Sequence, residues 1–463
     1  MPYRSSPRLT LVAASLGFAI VILDVTVVNV AIEQIQTSLA TSVTGLQWVL
    51  NAYTLAFASL LLSAGALCDR LGARLVFISG FALFTAASLA CAMAGNISML
   101  IASRTMQGVG AALCVPASLA LVNASFPDAG DRARAVSIWA GVGGLAIAAG
   151  PVVGGLMVDG LGWPSIFLLN LPLGLAGIWL TLVYAPSSER QGARSLDLPG
   201  QALAILALGG LTLGFIESGA LGWTHPLVLA GFACSTIATL AFLMIEARST
   251  APMLPLSLFR SSTISTACLA GLLMNFAFYG LMFVFSLFFQ SAKGYSPLQT
   301  GLAFLPMTAL VTITNLAAGW LTARFGPRLP LVVGQALAAL GYFALAGIDA
   351  ATPYMLIVGP LLATGIGSAL AVPAMTTAVL AYADEQQVGI VSGALNAARQ
   401  TGGVIGVGVF GSLVAGQNDL ADSIHTVAVL AGMALVVGCL ASAIGLRPRR
   451  DCVMDKAEEE CRA

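Results

Sequence analysis

Fourteen runs of about 20 mostly apolar residues follow one another almost without interruption. Their bounds are 9–36, 45–68, 75–95, 98–123, 135–158, 163–184, 198–218, 226–246, 263–290, 297–322, 329–348, 353–379, 389–415 and 424–446. A helix of about 20 residues covers the ~30 Å hydrocarbon core of a bilayer. Such a segment satisfies its own backbone hydrogen bonds in lipid only as a helix or within a closed barrel. Composition points the same way. Charged residues make up 9% of the chain, whereas the wetted surface of a soluble domain needs about 25%. The expectation is an all-α integral membrane protein with 14 transmembrane helices and no loop long enough for a soluble domain. The 50 glycines follow no collagen-like period and suit close approach of helices in lipid.

Lys and Arg orient the chain. With the N-terminus inside, 17 of the 20 fall on the cytoplasmic side, among them Arg4, Arg8, Arg70, Arg74, Arg324 and Arg328. Lys293 alone falls outside, and Arg104 and Arg399 lie within runs. Both termini are therefore expected in the cytoplasm, in the plasma membrane, or the inner membrane of a cell with two. The first run follows Arg4 and Arg8 and is too long for a signal-peptide core, so it is expected to remain. Zero net charge offers nothing to nucleic acid. The eight cysteines form no CxxC and read as small apolar fillers, and two histidines are too few for a metal site. Neither lysine closes a GxxxxGK[ST] loop, so no cofactor or ATP-driven step is expected.

The chain repeats itself. Gly65, Arg70, Gly72 and Arg74 after run 2 recur as Gly319, Arg324, Gly326 and Arg328 after run 10, at an offset of 254. Gly108, Gly110 and Pro116 recur as Gly365, Gly367 and Pro373, at an offset of 257. Eight runs separate the copies, two more than a simple duplication of six. The expected organisation is two related six-helix bundles, 1–184 and 263–446, with two inserted helices in 185–262 and a charged cytoplasmic tail, 447–463.

These residues carry a resemblance to the major facilitator superfamily, in its fourteen-span drug:proton antiporter branch, over essentially the whole chain. Gly65, Asp69, Arg70, Gly72 and Arg74 resemble that superfamily's loop between spans 2 and 3. Asp24, Thr26, Asn29 and Ala31 resemble the branch's span 1 motif, and Arg104, Gln107, Gly108 and Gly110 its span 4 motif. Gly150, Pro151, Gly154 and Gly155 resemble the antiporter motif of span 5. Asn170, Pro172 and Gly174, with Arg399, Gln400, Gly402 and Gly403, also fit. The chain departs from the pattern at Glu33, Ala146, Pro164 and Ala323.

The resemblance implies alternating access, with proton entry driving export of an amphipathic compound. Asp24 and Arg104 come out at similar depth, about 22 Å above the inner end of span 1 and about 9 Å below the outer end of span 4, so a pair is geometrically open to them. Burial and an arginine pull a carboxyl in opposite directions, which suits a group that takes and releases a proton. Glu217 is a second candidate for coupling or for attracting cations. Asn29, Trp48, Asn51, Tyr53, Gln107, Asn275, Tyr279, Asn315, Asn396 and Arg399 are candidate cavity residues, Arg399 equally a packing partner. The aromatic run from Phe276 to Phe289 could grip flat molecules or simply pack. The span 2–3 loop is implied to be a cytoplasmic gate, with Asp69 capping a helix, and the span 5 motif to seal against proton leak.

Partners are then protons, a small amphipathic substrate and lipid, for a protein working as a monomer. A dedicated exporter of one metabolite or antibiotic is the nearest alternative. A membrane enzyme or non-transporting scaffold is the alternative of another class, but no constellation of acids, histidines and a nucleophile favours an enzyme.

Overall fold

The computed structural model describes residues 6–186, 197–249, 252–381, 388–416 and 420–446. Arg4, Arg190, Arg194 and the predicted tail 447–463 lie outside them. The described residues are helical almost throughout: α1 (Pro7–Ser38), α2 (Val43–Leu71), α3 (Ala73–Ala92), α4 (Ile97–Ser125), α5 (Ala129–Leu161), α6 (Pro164–Leu168), α7 (Asn170–Tyr184), α8 (Leu198–Leu221), α9 (Pro226–Arg248), α10 (Ser262–Leu287), α11 (Pro297–Phe325), α12 (Arg328–Leu345), α13 (Tyr354–Ala381), α14 (Val388–Gly416) and α15 (Leu420–Gly445). Each predicted run falls on one of them, with α6 and α7 together covering the sixth. By length and apolar character, 12 of these segments are candidate membrane spans, or 13 if the bent pair within α2 counts as one. α14, which is not among them, carries the polar residues Asn396, Arg399, Gln400 and Thr401.

Helix starts are marked by residues that satisfy the free N–H groups of a first turn. Ser42 accepts from Gly45 N (3.3 Å), Asn96 from Met99 N (2.8 Å), Asp128 from Asp131 N (2.9 Å) and Asp197 from Gly200 N (2.8 Å). Ser296 and Gln299 form a reciprocal capping box on α11. α2 and α11 both end on a glycine in the left-handed region, Gly72 (φ 89°) and Gly326 (φ 79°), where a side chain would be strained.

The sequence repeat is also a repeat of contacts. In the first copy, a Cβ added to Gly110 would stand 2.6 Å from Phe84 N and 2.9 Å from Gly80 O, so α4 lies directly on α3. In the second copy, a Cβ on Gly367 would meet Gly334 O and, at 2.6 Å, Ala338 N, so α13 lies on α12 in the same way. Gly334 and Ala338 stand 254 residues after Gly80 and Phe84. Gly108 likewise abuts the Tyr53 backbone, and Gly365 the backbone and side chain of Met307, again 254 residues on. The loop arginines match as well. Arg74 Nη2 donates to Leu182 O near the end of α7 (2.6 Å), and Arg328 Nη2 donates to Ala443 O near the end of α15. A cation at carbonyls left free by a helix C-terminus is favoured in both places.

α1–α7 meet α10–α15 along a seam, and α8 packs against both α2 and α14, with α9 on its flank. On α5 and α11 the seam is built from small residues. A Cβ on Gly155 would stand 2.6 Å from Leu298 Cα, and Gly301 sits against the Pro151 carbonyl. Asp159 Oδ2 accepts from Ser296 Oγ (2.9 Å) and Leu298 N (3.2 Å), and Thr312 Oγ1 donates to Gly144 O (3.0 Å). Gln47 Nε2 donates to Val407 O (3.1 Å) and Gly408 O (2.9 Å), and Ser286 Oγ to Asn29 O. These bonds run from the middle of the helices, where Thr312 meets Gly144, to the face that carries the C-terminus of α1. Toward the opposite face Gly141, Gly319 and Asn396 are exposed. Gly155→Leu should therefore wedge α5 from α11. Spin labels at Leu161 and Leu302 would report a longer distance in the variant, and an unchanged distance would refute this account of the seam.

Candidate functional site

Four helices place polar side chains around one carboxylate. Asp24 in α1 is 3% exposed and Arg104 in α4 is 1% exposed. Arg104 Nη1 pairs with Asp24 Oδ2. Asp24 Oδ1 accepts from Gln107 Nε2 (2.8 Å) and from Asn170 Nδ2 (3.1 Å). Ser88 in α3 accepts from both amides, at 2.9 Å and 3.2 Å, while donating to Phe84 O (2.7 Å). Arg104 is held on its other sides too. Nη1 donates to Gln107 Oε1 (2.6 Å), Nε to Val49 O (3.2 Å), and the guanidinium lies 4.3 Å from the Tyr53 ring centroid. Local sequence makes this arrangement. Arg104 and Gln107 are three residues apart and so share one face of α4, and Asn170 opens α7 just after the break from α6.

Three donors on two oxygens offset part of the desolvation that burial imposes, and Arg104 supplies the counter-charge. Loss of the charge on Asp24 would weaken all three bonds, and with them the hold of α1 on α4 and α7. The paired acid and arginine follow the expectation from depth. Gln107, expected in the cavity, instead bridges the pair. Asn170 and Ser88 were not singled out for the site. Asn170 could have been found as an amide inside an apolar run; nothing local marks Ser88.

Beside the pair, Val25, Asn29, Leu50, Tyr53, Thr54, Arg104, Tyr279, Gly403 and Val407 line a cavity between the two halves of the chain. It has room for water centres in only about 20 Å³, well short of the roughly 300 Å³ of a small-molecule pocket. Of the candidate cavity residues, Asn29, Tyr53 and Tyr279 line it. Tyr53 donates to Val21 O (3.2 Å) and Asn29 to Val25 O (2.9 Å). Asn51 and Asn275 are buried beside it, and Asn51 Nδ2 has no acceptor among the described residues. Trp48 points elsewhere: its Nε1 donates to Glu217 Oε1 (2.9 Å), joining α2 to α8. Glu217 is thus bound in that seam and takes no part in the Asp24 cluster. Asn315 is half-buried with Oδ1 unpartnered, Asn396 is exposed, and Arg399 lies one turn from Gly403.

The remaining motifs are also placed. Asp69 and Arg70 are exposed. Asp69 makes no described hydrogen bond, so the expected helix cap is not formed in this conformation. Gly65 stands in open space, while Gly72 and Arg74 shape and tether the loop. Gly150 and Gly154 face α1, Gly155 faces α11, and the Pro151 carbonyl meets Gly301, so the span 5 motif is wedged between the two halves. The α10 aromatics mostly pack: Phe283, Phe285, Phe288 and Phe289 are at most 1% exposed, and Phe276 meets Phe410 with ring centroids 4.8 Å apart. Among the described residues, no group of three or more His, Cys, Asp or Glu could hold a metal, and the described cysteines are free.

A double-mutant cycle tests the cluster. Asp24→Ala leaves Arg104 buried and unpaired and should cost about 3–5 kcal/mol, as for other broken buried pairs. Adding Arg104→Gln to Asp24→Ala should recover much of that loss, so that the double variant loses less than the sum of the two single variants in chemical unfolding of the detergent-solubilised protein. Additive losses would mean that the two side chains do not interact.

With the geometry described, the relatives add context. The chain is 39% identical to the methylenomycin A resistance protein of Streptomyces coelicolor over 430 residues, 93% of this chain and 90% of that one. It is 38% identical to the multidrug resistance protein Stp of Mycobacterium tuberculosis, covering 88% and 76% of the two chains. It is 34% identical to the tetracenomycin C resistance and export protein of Streptomyces glaucescens, covering 89% and 77%. In fold it is similar to a D-xylose–proton symporter, with a TM-score of 0.72 at 15% identity over 96% of this chain and 99% of that one. A bacterial homologue of the lysosomal transporter Spinster, solved inward-facing and occupied, gives a TM-score of 0.65 at 16% identity over 97% and 99%. The family model of the Major Facilitator Superfamily matches residues 14–407, and the chain belongs to that family.

Proposed function

We propose that the protein is a proton-coupled antiporter of the plasma membrane that exports amphipathic drugs or antibiotics by alternating access. The observation that carries this reading is the buried Asp24 held by Arg104, Gln107 and Asn170 beside the cavity between the two halves. An acid inside a membrane bundle is retained for a function unless a static pair explains it, and this one adjoins the substrate path. Arg104 and Tyr53 belong both to the cluster and to the cavity wall, so a substrate that shifts either one changes the hold on Asp24. The resistance and export names of the relatives support the substrate class. The family match and those names support a transporter over an enzyme.

The proposed architecture is fourteen spans: six-helix bundles over 1–184 and 263–446, with the inserted pair α8–α9 between them. With both termini cytoplasmic, the bonded half of the seam faces outward and the conformation is closed outside. The exposed Asp69 fits this state, since a cytoplasmic latch is then undone. The narrow cavity must widen to admit a drug. The protein is proposed to work as a monomer, since the site is built from one chain. Glu217 is assigned to the α2–α8 seam in this scheme, leaving Asp24 as the primary proton site.

The test uses proteoliposomes enclosing a pH dye, with wild type and Asp24→Asn. Substrate addition should evoke proton flux in wild type and at least tenfold less in the variant. Equal flux in the two would move the proton site away from Asp24. A folded wild type that moves no proton with any of a panel of drugs would overturn proton-coupled export.

A further inference from the structure

The two arginines inside the membrane helices are not alike. Arg104 is neutralised by Asp24. Arg399, in α14, has no hydrogen bond or ion pair among the described residues, and its Nε is buried without an acceptor. No acid among the described residues pairs with it. Between 263 and 446 the described acids are Asp349, between α12 and α13, and Asp422, in the first turn of α15; neither lies in α14 or in α10, the helix packed most extensively on it. Asp24 is already held by three donors and Glu217 is bound to Trp48.

An uncompensated charge at this depth is expensive, and mere packing would be served by a neutral side chain. Its placement supplies a reason. Arg399, Gly403 and Val407 are spaced by four and share one face of α14, and Gly403 and Val407 line the central cavity. Arg399 is thus the next position down on the cavity-lining face, one turn below the point where Tyr279 of α10 packs on Gly403, whose added Cβ would stand 2.9 Å from the Tyr279 ring. Room is made for it: Gly271 in α10 stands where a Cβ would come within 2.8 Å of Arg399 Cγ.

We infer that Arg399 is the receptor for an acidic group on the transported molecule, so that the cavity takes amphipathic anions bearing a carboxylate or a comparable oxyanion. The planar guanidinium suits such a group through paired hydrogen bonds. The apolar wall of Tyr53, Tyr279, Leu50 and Val25 would receive the rest of the molecule. This inference rests on the reading of the protein as an exporter and deepens it. A lipid phosphate has the same chemistry, and the test separates the two sources.

The probes are N-dansyl-phenylalanine and its methyl ester, which share a shape and differ by one negative charge. Binding is read by energy transfer from the protein's tryptophans in nanodiscs of phosphatidylcholine, and again with phosphatidylglycerol added. Wild type should bind the acid at least tenfold more tightly than the ester in both lipids. Arg399→Gln should abolish the preference without changing ester binding, and Arg399→Lys should keep part of it. Equal binding of acid and ester by wild type, binding of neither, or a preference that survives Arg399→Gln would overturn the inference. A preference lost only with phosphatidylglycerol would assign Arg399 to the lipid headgroup and overturn the substrate assignment. Proton flux evoked by a panel of acidic, neutral and cationic drugs, measured on the same protein in proteoliposomes enclosing a pH dye, tests the exporter reading separately. Flux without acid preference would sink only the anion site, and acid preference without flux only the proton coupling.

Discussion

One buried carboxylate organises this molecule. Asp24 draws Arg104 and Gln107 from α4, Asn170 from α7 and, through the two amides, Ser88 from α3. Polar groups out of contact with water must find partners within the protein, and these five side chains satisfy one another almost completely. The exception, Asn170 Oδ1, has no donor. Such a cluster tolerates little independent movement. Any change of charge at Asp24 is felt at once by three helices packed against α1. That makes the cluster a structural keystone, and under the proposed coupling the same five side chains would also serve as the trigger.

The two halves of the chain share a fold but not a charge pattern. The position 257 residues after Arg104 is Leu361, and none of the apolar runs of the second half contains an acid. The two proposed roles, proton handling at Asp24 and recognition of an acidic group at Arg399, therefore fall on opposite walls of one cavity, about which the halves of a repeat-built transporter rock. Tyr53 on one wall and Tyr279 on the other mark the boundary between these two environments.

Much of this was legible in the sequence because the bilayer limits the choices. Apolar length predicts helices, and each predicted run falls on a helix; the loop motifs predict a duplicated unit, and Gly80–Gly110 and Gly334–Gly367 pack as its two copies. Asp24 and Arg104 could be matched in depth by counting 1.5 Å per residue. What counting does not give is azimuth, the direction a side chain takes around its helix relative to distant neighbours. Gln107 therefore read as cavity lining, although its place one turn from Arg104 puts it in the cluster. Trp48 read the same way and turns instead to Glu217. The aromatic run of α10 read as a grip or a stripe, and most of it is core. Ser88 resembles any other small polar residue until four helices are assembled around it.

The arginines Arg74 and Arg328 do more than cap a helix end. Each stands at the start of the third helix of its set and reaches the last, so those two helices are tied together at one end. Such ties resist sliding of the helices they join. The seam between the two sets is different: it is glycine against backbone, and its described hydrogen bonds lie at the midpoint or to one side of it. Mechanical compliance is thereby concentrated at one surface. In the proposed alternating-access mechanism, a joint of this kind permits one half to tilt against the other about the middle of the helices, and such a tilt would exchange which mouth of the cavity is open.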